Sequence, residues 1–180
     1  MRIIAGEFKG KNLTAPKGDI VRPTADRPKE ALFSILESQL MMTEKSWQEL
    51  TFLDVFAGSG AIGIEALSRG AKAVTFIEMN PRSLASLRTN LPTPNRTTVI
   101  KTNALNPPLG TPHDIVFLDP PYAKGFPEKT LQALKNKNWL DEKTLVIVEM
   151  DAREQYEFLG FNIEQTRIYH RNKFVFLRLM

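Results

Sequence analysis

Short apolar runs alternate along the chain with longer segments whose apolar residues recur at helical spacing. The run Ile115-Val116-Phe117-Leu118 is continuous and is bounded by turn residues, which is typical of a buried strand. Strands are predicted near 51 to 56, 73 to 78, 97 to 101, 114 to 118 and 144 to 149, and helices near 60 to 69, 81 to 91, 127 to 138 and, shorter, 152 to 159. This alternation predicts parallel strands joined by helical crossovers.

Different patterns flank the alternating region. Two further strands are predicted near 162 to 169 and 173 to 179, and the connection between them is so short that they must run antiparallel. Upstream, Asp26 is suited to cap a helix that has Pro28 in its first turn. Residues 1–20 are interpreted as a basic N-terminal hairpin extension, and residues 21–180 as one α/β domain.

A glycine turn follows the first predicted strand. Gly58 and Gly60 allow a ligand to approach the backbone at the start of the next helix, beside Phe56. Glu78 ends the following strand, where a carboxylate can accept hydrogen bonds from both ribose hydroxyls. Gly58, Gly60 and Gly63 also match the glycine fingerprint of nicotinamide cofactor sites, so a dehydrogenase remains open.

Three further polar positions belong to the same predicted edge. Asp54 is an ionisable residue inside a buried strand, so it needs a role such as bracing the glycine loop or holding a cationic ligand group. Asn103 and Ala104 follow the third strand and are positioned to meet an adenine. Each of these positions also has a purely structural interpretation, as a loop brace or an ordinary loop.

The segment Asp119-Pro120-Pro121-Tyr122 ends the fourth strand, because proline cannot donate to a sheet ladder. Ligands of open α/β sheets bind outside the carboxyl ends of the strands, so these residues lie at the mouth of a site. The Asp119 carboxylate and the Pro120 carbonyl can each accept one hydrogen of an NH2 group, and the Tyr122 ring offers a stacking face. The segment therefore suggests recognition of a flat base that carries an amino group.

Composition narrows the function classes. The 180 residues, 42% of them hydrophobic, fit one domain. The absence of cysteine excludes disulfides, zinc-thiolate sites and thiol nucleophiles, and two histidines are too few for a metal site made by protein ligands alone. No apolar run long enough to span a bilayer and no leader at Met1 are present, so a cytoplasmic protein is expected.

The charge distribution suggests a polyanionic partner. The net charge is +4 and the sequence pI is about 9.4. The excess lies at the two ends of the chain: residues 1–30, which include Lys9 and Lys11, carry a net charge of +3, and so do residues 161–180. These basic ends favour a nucleic acid as the partner.

Taken together, these motifs resemble a known family. The glycine loop with Asp54, the acid at Glu78, the segment Asp119–Tyr122, the terminal strand hairpin and the upstream Arg22-Pro23-Thr24-x-x-Arg27 resemble the S-adenosylmethionine-dependent methyltransferases of the RsmD type. These bacterial enzymes methylate guanine N2 in 16S ribosomal RNA. The chain departs from the family at Arg171-Asn172-Lys173, where an aromatic-glycine pair often precedes the last strand.

The resemblance implies a fold and a set of roles. The fold is a Rossmann-like methyltransferase domain with a mixed, mostly parallel seven-stranded sheet. The cofactor site, for S-adenosyl-L-methionine, would use Asp54, Phe56, Gly58, Gly60, Glu78, Asn103 and Ala104; the catalytic segment is Asp119, Pro120, Pro121 and Tyr122; and the RNA contacts are Arg22, Thr24, Arg27, Lys9 and Lys11. A monomer acting on ribosomal RNA or on the small-subunit particle is expected. Methylation of adenine N6 and a non-catalytic RNA-binding module remain alternatives.

Overall fold

A seven-stranded mixed sheet forms the centre of the protein, as described by a computed structural model for residues 1–16, 26–92, 94–121 and 125–180. Its strand order is β3-β2-β1-β4-β5-β7-β6. The strands are β1 (Thr51–Val55), β2 (Ala73–Glu78), β3 (Thr97–Lys101), β4 (Ile115–Leu118), β5 (Leu145–Asp151), β6 (Phe161–Tyr169) and β7 (Asn172–Leu179). The first five are parallel, and β7 pairs antiparallel with both β5 and β6, which confirms the predicted mixed sheet with its terminal hairpin.

Helices cover both faces of the sheet. They are α1 (Asp26–Met42), α2 (Ala61–Ser68), α3 (Pro81–Asn90) and α4 (Phe126–Asn136), with two single 3₁₀ turns at Trp47–Glu49 and Pro94–Arg96. One core cluster joins α1 and α2 to strand residues such as Phe52 and Phe117, and the other joins α4 to the alternate residues, such as Leu53 and Val116. Burial on both faces explains why the central strands are continuous apolar runs. Within the described residues, each helix is too short or too polar to cross a bilayer.

The helix predicted near residues 152 to 159 is wrong. The segment forms a turn followed by irregular chain. The Asp151 carboxylate accepts the Arg153 N–H at 3.0 Å, and the Glu154 N–H reaches the Asp151 carbonyl at 3.0 Å, which closes a turn directly after β5. Tyr156 and Phe158 then pack against the same core cluster although they are only two residues apart, which is the spacing of extended chain.

The N-terminal segment packs closely against the rest of the protein. It contains one antiparallel bridge, Arg2 with Asn12, and it buries Ile3 and Leu13 in the core. A separate extension over residues 1–20 stays a proposal, because residues 17–20 lie outside the described part of the chain.

A buried ion pair holds this segment in place. The Glu65 carboxylate on α2 accepts the Ile4 N–H at 2.8 Å and the Ala5 N–H at 3.0 Å. It also lies 3.3 Å from the Lys29 ammonium of α1, and both side chains are completely buried. Lys29 in turn donates to the Arg2 carbonyl at 2.6 Å. One carboxylate thus connects the N-terminal segment to two helices.

Replacing Glu65 with Gln is therefore expected to lower the free energy of unfolding by about 3 kcal/mol, because the buried Lys29 ammonium loses this carboxylate. The matched control is Glu37→Gln, which removes a partner of Arg69 whose side chain is 42% exposed. The control should cost about 1 kcal/mol or less. Denaturant unfolding of both variants checks this, and equal losses would contradict a special role for the buried pair.

Candidate active site

A cleft of about 570 Å³ opens at the carboxyl ends of the strands. One side is lined by predicted cofactor residues, namely Asp54, Phe56, Gly58, Glu78 and Asn103. The other side is lined by Asp119, Pro120 and Pro121. The structure therefore brings together, in one cleft, residues that lie up to 67 positions apart in the sequence.

The backbone conformation of the glycine loop requires glycine at position 60. Gly60 precedes α2 with φ of 82°, and a Cβ atom there would lie 2.3 Å from Leu87 Cδ1. Phe56 adopts φ of 63°, an uncommon value for a residue with a side chain. The Phe56 and Ala57 N–H groups both donate to the Ile77 carbonyl, at 3.0 and 3.1 Å. These bonds fix the loop against β2 beneath the cleft.

Asp54 braces the glycine loop from inside the sheet. Its Oδ2 accepts the Gly63 N–H in the first turn of α2 at 2.9 Å, and the residue is only 2% exposed. Burial raises the pKa of Asp54 well above its usual range; the negative charges of Asp119 and Glu78 raise it further, and the Gly63 hydrogen bond opposes the shift. Asp54 thus combines a bracing role with a place on the wall of the cleft.

Glu78 is held by backbone donors at the end of β2. Its Oε2 accepts the Gly58 N–H at 2.8 Å, and its Oε1 accepts the N–H groups of Met79 and Asn80 at 2.8 and 2.7 Å. Three bonds leave part of the acceptor capacity of a carboxylate unused. Glu78 therefore ties the glycine loop to β2 and still faces the cleft with a fixed geometry.

Asp119 follows directly on β4. Its N–H points toward the Val55 carbonyl at 3.4 Å, which extends the pairing with β1 by one residue. Within the described ranges its carboxylate makes no hydrogen bond. Burial raises the pKa of Asp119 to about 7. The predicted stacking residue, Tyr122, lies outside the described residues.

The two predicted adenine residues have different surroundings. Asn103 is exposed on the cleft wall, and its Oδ1 accepts the Leu105 N–H at 3.0 Å. Ala104 is only 3% exposed and packs in the core cluster on the α4 side of the sheet. Asn103 therefore faces the cleft, whereas the Ala104 side chain supports the loop from below.

The predicted RNA residues are spread over the N-terminal part of the chain. Arg22 and Thr24 lie outside the described residues, whereas Lys9 and Arg27 are exposed. Lys11 has a structural contact, because its ammonium donates to the Asn90 carbonyl at the end of α3 at 2.7 Å. A cation at that position is favoured by the negative end of the helix dipole.

Several residues of the cleft carried no signal in the sequence. Met1, Ala15 and Pro16 line it from the N-terminal segment, and Phe126 lines it from the start of α4. The Phe126 ring centroid lies 6.4 Å from that of Phe56. These residues are apolar and distant in sequence from the glycine loop, so neither spacing nor composition could identify them.

Asn90 links the N-terminal segment to the glycine loop. Its side-chain amide donates to the carbonyls of Thr14 and Ser59, both at 3.0 Å, and its oxygen accepts the Thr14 N–H at 2.8 Å. Asn90 is 2% exposed, so these bonds are shielded from water. The part of the N-terminal segment that lines the cleft is thereby fixed to the glycine loop.

Comparisons with known proteins agree with this architecture. Residues 1–178 match the family described as conserved hypothetical protein 95. The ribosomal RNA small subunit methyltransferase D of Escherichia coli K12 is 39% identical over 156 residues, which cover 84% of this chain and 75% of that protein. The Haemophilus influenzae protein of the same name is 39% identical over 159 residues, covering 84% and 79%.

A solved structure extends the likeness to the whole chain. The Escherichia coli protein yhhF is similar with a TM-score of 0.83 at 34% identity, and the match covers 99% of this chain and 97% of that one. The sequence and the sheet topology therefore lead to the same assignment. This chain belongs to the conserved hypothetical protein 95 family, the RsmD family of methyltransferases.

Proposed function

We propose that this protein transfers a methyl group from S-adenosyl-L-methionine to the exocyclic N2 of a guanine in 16S ribosomal RNA. The observation that carries the proposal is the Asp119 carboxylate, which faces a cleft shared with the glycine loop and Glu78 and has no hydrogen-bond partner within the described ranges. The names of the Escherichia coli and Haemophilus influenzae relatives support ribosomal RNA as the acceptor. We further propose that the protein is a monomer that acts in the cytoplasm, on free RNA or on the small-subunit particle.

The residues present suit the cofactor. The volume of about 570 Å³ lies within the usual range of small-molecule sites, about 300–1,000 Å³. Glu78 would accept hydrogen bonds from the ribose hydroxyls, Asn103 would meet the adenine, and Gly58 would let the ligand approach the backbone. When bound, the cofactor supplies a methyl group on a positively charged sulfur. The Asp54 carboxyl would lie on the methionine side of the bound cofactor while it braces the glycine loop.

The acceptor amino group needs orientation more than activation. The lone pair of an exocyclic nitrogen is delocalised into the base, so it points poorly toward an electrophile. The Asp119 carboxylate and the Pro120 carbonyl would accept the two N–H hydrogens and turn the lone pair toward the methyl group. The amino group then loses one proton, which Asp119 would accept. Holding the reactants in line provides most of the rate enhancement in such a reaction.

The hydrogen-bonding chemistry of arginine favours guanine over adenine as the acceptor base. The acid-Pro-Pro segment holds an NH2 group but does not distinguish among bases. Arginine donates to guanine O6 and N7, whereas adenine presents a donor at N6. Arg27 is exposed in the first turn of α1, on the chain that leads from the N-terminal segment. Methylation of adenine N6 remains the second candidate.

Glu78→Ala is expected to weaken S-adenosylmethionine binding about 10- to 100-fold, because charge-assisted hydrogen bonds to the ribose are lost. Titration calorimetry measures this, with thermal unfolding as a check on the variant's fold. Asp119→Ala is the matched control and should bind the cofactor nearly as wild type does. Binding of NADH without binding of S-adenosylmethionine would contradict the proposal in favour of a dehydrogenase, and binding of neither cofactor would favour an RNA-binding module.

Asp119→Asn is expected to reduce methyl transfer at least about 100-fold while leaving cofactor affinity unchanged, because an amide both accepts poorly and cannot take up a proton. Since the pKa of Asp119 is raised to about 7, wild-type activity should increase as the pH rises through that value and the carboxylate forms. Single-turnover transfer of a labelled methyl group measures both effects. Near wild-type turnover in the variant would show that Asp119 is only a turn residue without a part in catalysis.

The product of the reaction is expected to be N2-methylguanosine. The pure protein is incubated with S-adenosylmethionine and ribosomal RNA or small-subunit particles that lack the modification, and the digested nucleosides are identified by mass spectrometry. Free RNA and assembled particles are compared side by side, because they differ in which bases are accessible. N6-methyladenosine as the main product would overturn the guanine assignment and leave the reaction class in place.

A further inference from the structure

A second carboxyl group, Glu149, lies beside Asp119. In the parallel pairing of β4 with β5, Leu118 is opposite Val148, so the next residues along the two strands are Asp119 and Glu149. Phe117 and Ile147, two positions earlier, belong to the same core cluster. Because side chains alternate along a strand, Asp119 and Glu149 project to the same face of the sheet. Neighbouring strands are about 4.8 Å apart, which makes the two carboxyls direct neighbours.

Glu149 is buried and incompletely hydrogen-bonded. It is only 3% exposed. Its Oε1 accepts a hydrogen bond from the side-chain amide of Asn172 on β7, whereas its Oε2 has no partner within the described part of the chain. An ionised carboxylate with an unpaired buried oxygen is costly, and it is more so beside a second carboxylate. A proton shared by the two groups removes much of that cost.

The other charged groups around Glu149 do not provide an alternative partner. Burial is the main influence on Glu149, followed by the negative charge of Asp119, and the amide of Asn172 opposes both. On the following turn, Arg153 pairs with Asp151 and the Lys173 ammonium donates to the Glu154 carbonyl. The helix cations on this face, Lys29 and Arg69, bind Glu65. Asp54 and Glu78 continue the row of acids beyond Asp119, and neither is a cation that could pair with Glu149.

We propose that Glu149 is a positioning residue for methyl transfer: it shares a proton with Asp119 and thereby sets how strongly Asp119 accepts the proton released by the acceptor amino group. This inference rests on the proposed function, in which Asp119 faces that amino group. Burial raises the pKa of Asp119 to about 7, and burial with the Asp119 charge raises the pKa of Glu149 to about 8. Such a pair titrates as a unit in two steps.

The step balances with the groups that the site supplies. The nitrogen lone pair forms the new N–C bond, and the S–C bond breaks with its electron pair remaining on sulfur, which becomes a neutral thioether. The methylated nitrogen then releases one proton to the Asp119 carboxylate. When Glu149 is ionised, its charge strengthens the attraction of Asp119 for that proton; when Glu149 is protonated, the attraction is weaker.

The first test is a titration of the protein alone. Carboxyl carbon chemical shifts of Asp119 and Glu149, followed by NMR, should change together in two steps near pH 7 and pH 8. In Glu149→Gln, Asp119 should show a single step, because glutamine keeps an acceptor for Asn172 but has no titratable proton. If Glu149 is already ionised at pH 6, as a glutamate in a model peptide is, the proposal of a shared proton is wrong.

The second test is the pH profile of single-turnover methyl transfer. Wild type should show two increases, near pH 7 and pH 8, whereas Glu149→Gln should keep only the lower one. At pH 7 the two proteins should agree within about twofold, and above pH 9 wild type should be faster by roughly fivefold or more. The exposed Glu157→Gln is the matched control and should retain both steps.

A further variant separates proton sharing from a purely structural role. The Asn172 hydrogen bond lowers the pKa of Glu149, so Asn172→Ala should move the upper step to higher pH and leave the lower one in place. This shift also decides the matter if Glu149→Gln fails to fold. The proposal is overturned if the upper step persists in Glu149→Gln, or if its pH is unchanged in Asn172→Ala. If wild type transfers no methyl group at any pH, the proposed reaction fails, and the NMR titration still decides separately whether the pair shares a proton.

Discussion

Parallel strands end at one edge of a sheet, and in this protein four neighbouring strands each bring a carboxyl group to that edge. In sheet order these are Glu78 on β2, Asp54 on β1, Asp119 after β4 and Glu149 on β5. Each lies two positions beyond a residue of the same core cluster, so all four face the same side. Four carboxyl groups on adjacent strands, spread over about 15 Å of sheet, cannot all be ionised and desolvated without compensation. The surrounding structure supplies that compensation in different ways along the row.

The compensation depends on elements that are distant in sequence. The Gly58 N–H of the glycine loop donates to the Glu78 carboxylate, and the Gly63 N–H in the first turn of α2 donates to the Asp54 carboxyl. That loop is in turn held by Asn90, which also fixes the N-terminal segment. The same segment is attached to α1 and α2 through Glu65. The geometry of the cleft therefore rests on a chain of shielded polar contacts that begins at the first residues of the protein.

The parts of the molecule that a sequence can reveal are those with a strong local signal. Five parallel strands, the terminal hairpin and the cleft residues Asp54, Gly58, Glu78 and Asp119 follow from apolar runs, glycines and proline breaks. The helix expected near 152 to 159 failed because the Asp151 turn and the packing of Phe158 outweighed local helical preference. Glu149 could not be recognised as a neighbour of Asp119, since that proximity is created only by the register of β4 and β5.

Asp119 differs from the other three acids in one respect that decides the chemistry of the edge. Asp54 receives one backbone N–H, Glu78 receives three and Glu149 receives an amide, whereas the Asp119 carboxylate receives no hydrogen bond from any described residue. Asp119 is partly buried in the wall of the cleft, and this burial raises its pKa to about 7. A donor that arrives from a ligand therefore meets an acceptor that is already partly shielded from water, and its hydrogen bond is worth more than one at a fully exposed carboxylate. The unpartnered member of the row is thus the one best prepared to bind an amino group.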